Sequence, residues 1–316
     1  MKMLSIISTL STLGSAFILT LGSCGQGGGT SGTQTTDRAG QAAQQEQIPI
    51  AYDLQHPTVY TMPDELREVS GISFYKGDPA MLYAEQDENG RLYWLEPGSD
   101  KAHYYDFGKD GDYEDLAFVG SQVVFLKSNG HLYSFDFKPA AGADAAPVTG
   151  KLQEWKGLLP KGEYEGLYAD TGQNQLYVLC KECKNEDHKK AVSVYKLNSN
   201  GQGWALSGSS TVDVTKISAL SANEKDSGKK NKKIDFKPSA ISLNPLTHQW
   251  YLLSSVNKML VVTDAGFQVQ AVYPLDHKQF PQPEGMCFDR DNNLYISNEG
   301  PAGGEGTVLK FTYKGN

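Results

Sequence analysis

From about residue 59 to the C-terminus, short apolar runs alternate with clusters of Gly, Asp, Asn and Ser, the pattern of short strands joined by tight turns. The pattern repeats. Aligned on the apolar pair after a Gly or its substitute, five copies read EVSGISF from Glu68, DYEDLAF from Asp112, EYEGLYA from Glu163, KPSAISL from Lys237 and QPEGMCF from Gln282. Each is followed by a second apolar run: MLYAE from Met81, VVFLK from Val123, QLYVL from Gln175, WYLLS from Trp250 and NLYIS from Asn293. A third run closes each unit, as in RLYWL from Arg91, HLYSF from His131, VSVYKL from Val192, MLVVT from Met259 and TVLKF from Thr307.

Fainter fourth runs follow in four units, at KAHYYDF, at KLQEW near Trp155, around Ala205 to Val214, and at Phe267 to Leu275. Starts recur about every 45 to 50 residues with one longer interval, the period of a four-stranded propeller blade. The fold class is therefore all-β, a single β-propeller of four-stranded blades. Five blades are expected, with six as the alternative if the interval from 198 to 236 hides a degenerate blade. The last unit stops after its third strand. The segment Ile48 to Tyr60 is expected to supply the missing outer strand and so remove an open sheet edge.

Ahead of the repeats, Met1 to Leu21 carries one Lys and an apolar run, then Leu21-Gly22-Ser23-Cys24. This reads as a secretory leader over 1–23, and its ending resembles a bacterial lipobox, which implies cleavage before Cys24 and acylation of its thiol. Residues 24–47 are Gly, Ser, Thr, Gln and Ala with hardly a large apolar side chain, a flexible tether. The propeller occupies 48–316. The expected setting is the bacterial cell envelope, on the outer membrane or cell surface, with the membrane engaged through the lipid on Cys24. A formal net charge of -8 argues against nucleic acid as a partner.

Two inserts interrupt the period. Lys138 to Gly150 is an Ala/Gly/Pro loop, and Ser218 to Lys233, with its run of lysines, is expected to be a mobile solvated excursion. Cys180 and Cys183 close a second strand. A loop disulfide leads, with free thiols or a metal site that includes His188 as alternatives. Cys287, in an apolar strand, reads as a core thiol.

Inner strands of a propeller line its central channel, so equivalent positions converge. One such column is Ser70, Glu114, Glu165, Ser239 and Glu284; two residues earlier stand Glu68, Asp112, Glu163, Lys237 and Gln282. Carboxylates converging on a channel repel unless a cation sits among them or their pKa values rise. A hard-cation site follows as an expectation, Ca²⁺ held by Glu68, Glu114, Glu165 and Glu284, with Ser70, Asp112, Glu163, Ser239, Glu85 and Glu299 as further mouth residues. A water-filled acidic funnel is the other reading. Asp289 to Asn293 reads as an Asx hairpin turn, since it lacks the closing Glu of a Ca²⁺ loop.

The ordered series EVSGISF, DYEDLAF, EYEGLYA, KPSAISL and QPEGMCFDRDNNLYISNEG resembles the SdiA-regulated (YjiK-like) family over most of the chain from Val59 to Tyr313. The resemblance implies a β-propeller and an envelope location, and it brings no reaction with it. The sequence departs at Ser239-Ala240, where an acid would complete the ring. Two functions remain open. One is an envelope propeller binding Ca²⁺, a small ligand or an envelope protein at its acidic mouth. The other is a metal-dependent hydrolase, phytase-like or gluconolactonase-like. Against the hydrolase, no His recurs near the ring, with His103, His131 and His248 assigned to outer strands, and only Lys127 and Lys237 stand in the repeat columns as phosphate binders.

Overall fold

The computed structural model describes residues 48–139, 147–184, 186–201, 203–223 and 233–315. The leader, Cys24, the tether and most of the lysine-rich insert lie outside these residues.

Five four-stranded antiparallel sheets form a five-bladed β-propeller. Blade 1 is β2 (Val69–Phe74), β3 (Leu82–Gln86), β4 (Arg91–Leu95) and β5 (His103–Asp106). Blade 2 is β6 (Tyr113–Val119), β7 (Gln122–Lys127), β8 (Leu132–Phe137) and β9 (Val148–Trp155). Blade 3 is β10 (Gly162–Asp170), β11 (Gln175–Cys183), β12 (Ala191–Ser199) and β13 (Trp204–Asp213). Blade 4 is β14 (Ala240–Leu243), β15 (Trp250–Ser254), β16 (Met259–Thr263) and β17 (Val269–Pro274). Blade 5 is β18 (Pro283–Phe288), β19 (Leu294–Asn298) and β20 (Thr307–Phe311), completed by the N-terminal β1 (Thr58–Thr61). β1 pairs with β20 from Thr58 opposite Lys310 to Thr61 opposite Thr307, so the chain closes its own ring.

The core is five hydrophobic clusters, one at each junction between neighbouring blades. Tyr83 and Trp94 of blade 1 meet Leu116 and Phe125 of blade 2, and Val124 and Leu126 meet Tyr164 and Val178 of blade 3. Leu179 and Val194 meet Ile241 and Leu252 of blade 4; Leu253 and Leu260 meet Met286 and Ile296 of blade 5; Cys287 and Tyr295 meet Ile72 and Phe74 of blade 1. Successive side chains of one strand thus enter different junctions, Leu252 one way and Leu253 the other. Both faces are dry, which is why the middle strands read as unbroken apolar runs. Cys287 is a buried free thiol within the last junction.

Among its described residues the long interval holds no sixth blade. It holds the ten-residue outer strand β13 and a helix, α1 (Val214–Asn223). Asp213 caps the helix by accepting from the Thr215 amide at 2.8 Å. Val214, Ile217 and Leu220 form a stripe buried with Phe236 and Val272 between blades 3 and 4. Ser218 to Asn223, expected as part of a mobile excursion, are helical for this reason. His248 also departs from expectation: it lies in the turn before β15 with φ of 55°, outside any strand.

Candidate functional site

The amino ends of the five inner strands and the carboxyl ends of the second strands form one mouth of the channel. Four inner strands carry a β-bulge there. Register slips between Val69 and Ile72, between Tyr113 and Asp115, from Tyr164 to Gly166, and between Pro283 and Gly285. In three of the four the extra residue is a glutamate: Glu114, Glu165 or Glu284. A bulged residue leaves the ladder and its side chain is re-aimed. The alternation used to relate the two acidic columns therefore fails, and Glu68, Asp112, Lys237 and Gln282 all precede their strands. Blade 4 has Ser239 instead, its hydroxyl donating to the Pro283 carbonyl at 2.8 Å and joining two blades.

The Gly after the bulge has a steric cause. A Cβ on Gly285 would lie 2.1 Å from the Ser70 carbonyl oxygen of blade 1. In blade 2 Asp115 takes that place, and its buried carboxylate accepts from the Leu167 amide of blade 3 at 2.6 Å and from the Leu116 amide at 2.8 Å. Inner strands are thus bolted to one another at the channel wall.

The acids influence one another strongly. Glu114 is pushed up to about 10 by burial and then by Glu165, Glu85 and Asp112. Glu284 is pushed up to about 8 by burial, Glu165 and Glu299. Glu299 rises to about 7 through burial, Asp87 and Glu68. Glu85, fully buried, is pushed well up by burial even though one oxygen accepts from the Gly71 amide at 2.6 Å. Its other oxygen, Oε2, has no hydrogen-bond partner, and neither has Oδ1 of Asp87.

Lys181 is the residue that sequence reasoning passed over. It lies inside the Cys180–Cys183 disulfide loop, whose Cα atoms are 5.9 Å apart, and its ammonium pairs with Glu165 and stands 3.6 Å from Glu163. Burial pulls the ammonium down, but Glu165 and Glu163 outweigh it and hold Lys181 above the ordinary lysine value. Glu165, raised by burial and lowered by Lys181, settles at about 7. Next to it Glu182 pairs with Lys237. A signal for Lys181 was present: aligned on the second apolar run, it occupies the position of Asp87 in blade 1 and Glu299 in blade 5.

Glu68 pairs with Arg67 at 2.8 Å, Asp112 accepts from the Ser128 hydroxyl, and Gln282 donates to Glu299. Ser70 is buried at the blade 1 bulge, where its carbonyl accepts from Ser297 at 2.6 Å. Lys127 lies over the Tyr113 ring at 4.6 Å. Among the described residues, the one trio of metal-ligating side chains with mutually close ligand atoms is Cys180, Cys183 and Glu186. The disulfide consumes both of its thiolates, which removes a metal site there in this state. The Asp289 carboxylate accepts from the Asp291 and Asn293 amides at 3.0 and 2.8 Å, the Asx turn expected.

The molecule is a five-bladed propeller whose channel has a carboxylate-rich mouth with Lys181 set into it. Residues 50–302 match the sequence model of the SdiA-regulated family, and the chain belongs to that family. Comparison with curated proteins finds no match. Among solved structures the chain is similar to Myxococcus xanthus glutaminyl cyclase, with a TM-score of 0.52 at 14% identity over 81% of this chain and 94% of that one. It is also similar to regucalcin of Agrobacterium tumefaciens, a calcium-binding protein, with a TM-score of 0.47 at 15% identity over 84% and 95%. Virginiamycin B lyase of Staphylococcus aureus gives a TM-score of 0.40 at 14% identity over 80% and 69%. At 14% identity the likeness to the glutaminyl cyclase is one of fold alone.

Proposed function

We propose that this protein is a binding propeller that holds a hard cation, Ca²⁺ first among candidates, at its acidic mouth, displayed in the cell envelope by a lipid on Cys24. The observation that carries the reading is Glu85, a fully buried carboxyl with one oxygen unpartnered and other acids around it. A buried carboxylate in that state calls for a proton or a cation. Lys181 neutralises the blade 3 side, so a bound cation would draw together donors from Glu85, Asp87, Glu114, Glu284 and Glu299, whose oxygens suit Ca²⁺ but do not form a close trio in the structure.

Thermal melts of the full chain in EDTA and in millimolar Ca²⁺ test this. The midpoint rises with Ca²⁺ by mass action, and Glu284→Gln with Glu299→Gln loses most of the rise. An unmoved wild-type midpoint at every Ca²⁺ concentration rejects the cation site. A hydrolase is the second reading, favoured by Glu165 and Glu299 lying near 7, where a carboxyl exchanges protons readily. Against a phytase-like reaction, Lys127 and Lys237 are engaged with Tyr113 and Glu182. Phosphoester and lactone screens with Ca²⁺ present, with Glu165→Gln as the inactive control, decide between the readings.

A further inference from the structure

The carboxyl ends of the five inner strands meet at the end of the channel remote from the acidic mouth. They enclose a cavity of about 790 Å³. All five blades contribute to its wall, and none of the mouth carboxylates lines it. Tyr75, Phe118, Tyr168 and Phe288 give it an aromatic lining, with small residues such as Ser73 and Ser242 between them. Small-molecule sites are commonly cavities of roughly 300–1,000 Å³ lined by apolar and aromatic groups with a few placed polar ones.

The rim differs from the far mouth in carrying two cations, Lys76 and Arg290, against one acid in the wall, Asp289. The Asp289 carboxylate is occupied by two amides, by the Asn293 side chain at 2.8 Å and by the Tyr295 hydroxyl at 3.1 Å. These hydrogen bonds leave Asp289 turned to its own hairpin, whereas Lys76 and Arg290 are both exposed at the rim. They come from different blades and are tied together: the Arg290 amide donates to the Gly77 carbonyl at 2.8 Å. That contact needs Lys76 at φ 54° and Gly77 at φ 71°, and a Cβ on Gly77 would come within 2.9 Å of the Arg290 nitrogen. A lysine held in the left-handed region beside a glycine is a costly local conformation, and such conformations cluster at ligand sites. Among the described residues the Arg290 guanidinium pairs with Asp78, at 3.6 Å, and Lys76 rests over the Tyr75 ring at 5.1 Å, so both cations keep hydrogen-bonding capacity for a ligand.

We propose that this end of the channel is a second binding site, for an amphipathic carboxylate of the fatty-acid class, its apolar body in the aromatic cavity and its carboxylate between Lys76 and Arg290. Arginine matches a carboxylate in a two-pronged geometry and lysine adds a point charge. The reading is independent of the cation site, since the two ends share no side chain.

Titration of the full chain with cis-parinarate, a linear fluorescent fatty acid, tests it. Saturable binding at one equivalent is expected. Lys76→Ala with Arg290→Ala weakens it at least tenfold while leaving the melting midpoint near wild type, because both side chains are exposed. The corresponding uncharged alcohol binds at least tenfold more weakly than the acid. Glu284→Gln with Glu299→Gln leaves parinarate binding unchanged. Absence of saturable binding, full retention by the Lys76/Arg290 double variant, or equal binding of the alcohol would each overturn the proposal.

Discussion

Lys181 changes how the acidic mouth is understood. Glu165 is nearly buried and Lys181 about three-quarters so, with side-chain exposures of 8% and 24%, so their contact is far better shielded than the surface pairs elsewhere on the molecule. The protein thus supplies a cation of its own there. Lys181→Met leaves Glu165 among Glu163 and Asp112 without compensation, and it responds by holding a proton to higher pH. The expected cost is about 1–3 kcal/mol, below the range for a fully buried pair because Lys181 is partly wet. The deficit is smallest near pH 5, where Glu165 is protonated in the variant, and grows toward pH 8. Chemical unfolding at the two pH values measures it; an equal deficit at both would show that Lys181 acts through packing alone.

At the scale of the element, the repeated Glu-Gly is a device with two parts. The bulge turns the glutamate out of the ladder, and the glycine lets the next blade's inner strand approach. Gly285→Ala puts a methyl group 2.1 Å from a backbone oxygen that has no rotamer to change, so a loss at or above the upper end of about 1–3 kcal/mol is expected. Gly208→Ala, in the outer strand β13 with nothing within 4 Å, is the matched control and stays within about 0.5 kcal/mol. Comparable melting midpoints for the two variants would refute the steric account. The closing strand β1 follows the same logic of element pairing, since it covers the edge of β20 that would otherwise stand open.

The whole molecule carries a pH signature. Glu114, Glu165, Glu284 and Glu299 all have raised folded values, between about 7 and about 10. For an acid raised on folding, the folded state keeps a proton that the unfolded state has lost. Stability is therefore full below the unfolded value near 4.5 and declines as pH rises toward the folded value. Asp53, lowered to about 2 by Lys314 and His56, and Asp213, lowered by Thr215, act in the other direction and lose their contribution as pH falls below the ordinary carboxylate range. In EDTA the midpoint should peak between about pH 4.5 and 6 and fall toward pH 9. Glu114→Gln with Glu284→Gln should flatten the alkaline limb, and an unchanged slope in that variant would remove these two acids as its cause.

Strand positions, the number of blades and the closing role of the N-terminal segment could all be read from the chain, because each follows from local hydrophobic runs and from their recurrence. The Glu-Gly repeat was equally visible, and so were its acids. Their arrangement was not. Register slips at Glu114, Glu165 and Glu284 depend on how two strands pair, and Lys181 meets Glu165 only when a hairpin brings together residues 16 apart in sequence. Helix α1 escaped notice because Val214 fell within a strand-like run and its stripe acquires meaning only under Phe236 and Val272. The contrast between the two channel ends belongs to no stretch of sequence. It arises when five inner strands run in parallel around a closed ring, gathering amino-terminal acids at one mouth and leaving Lys76 and Arg290 at the other.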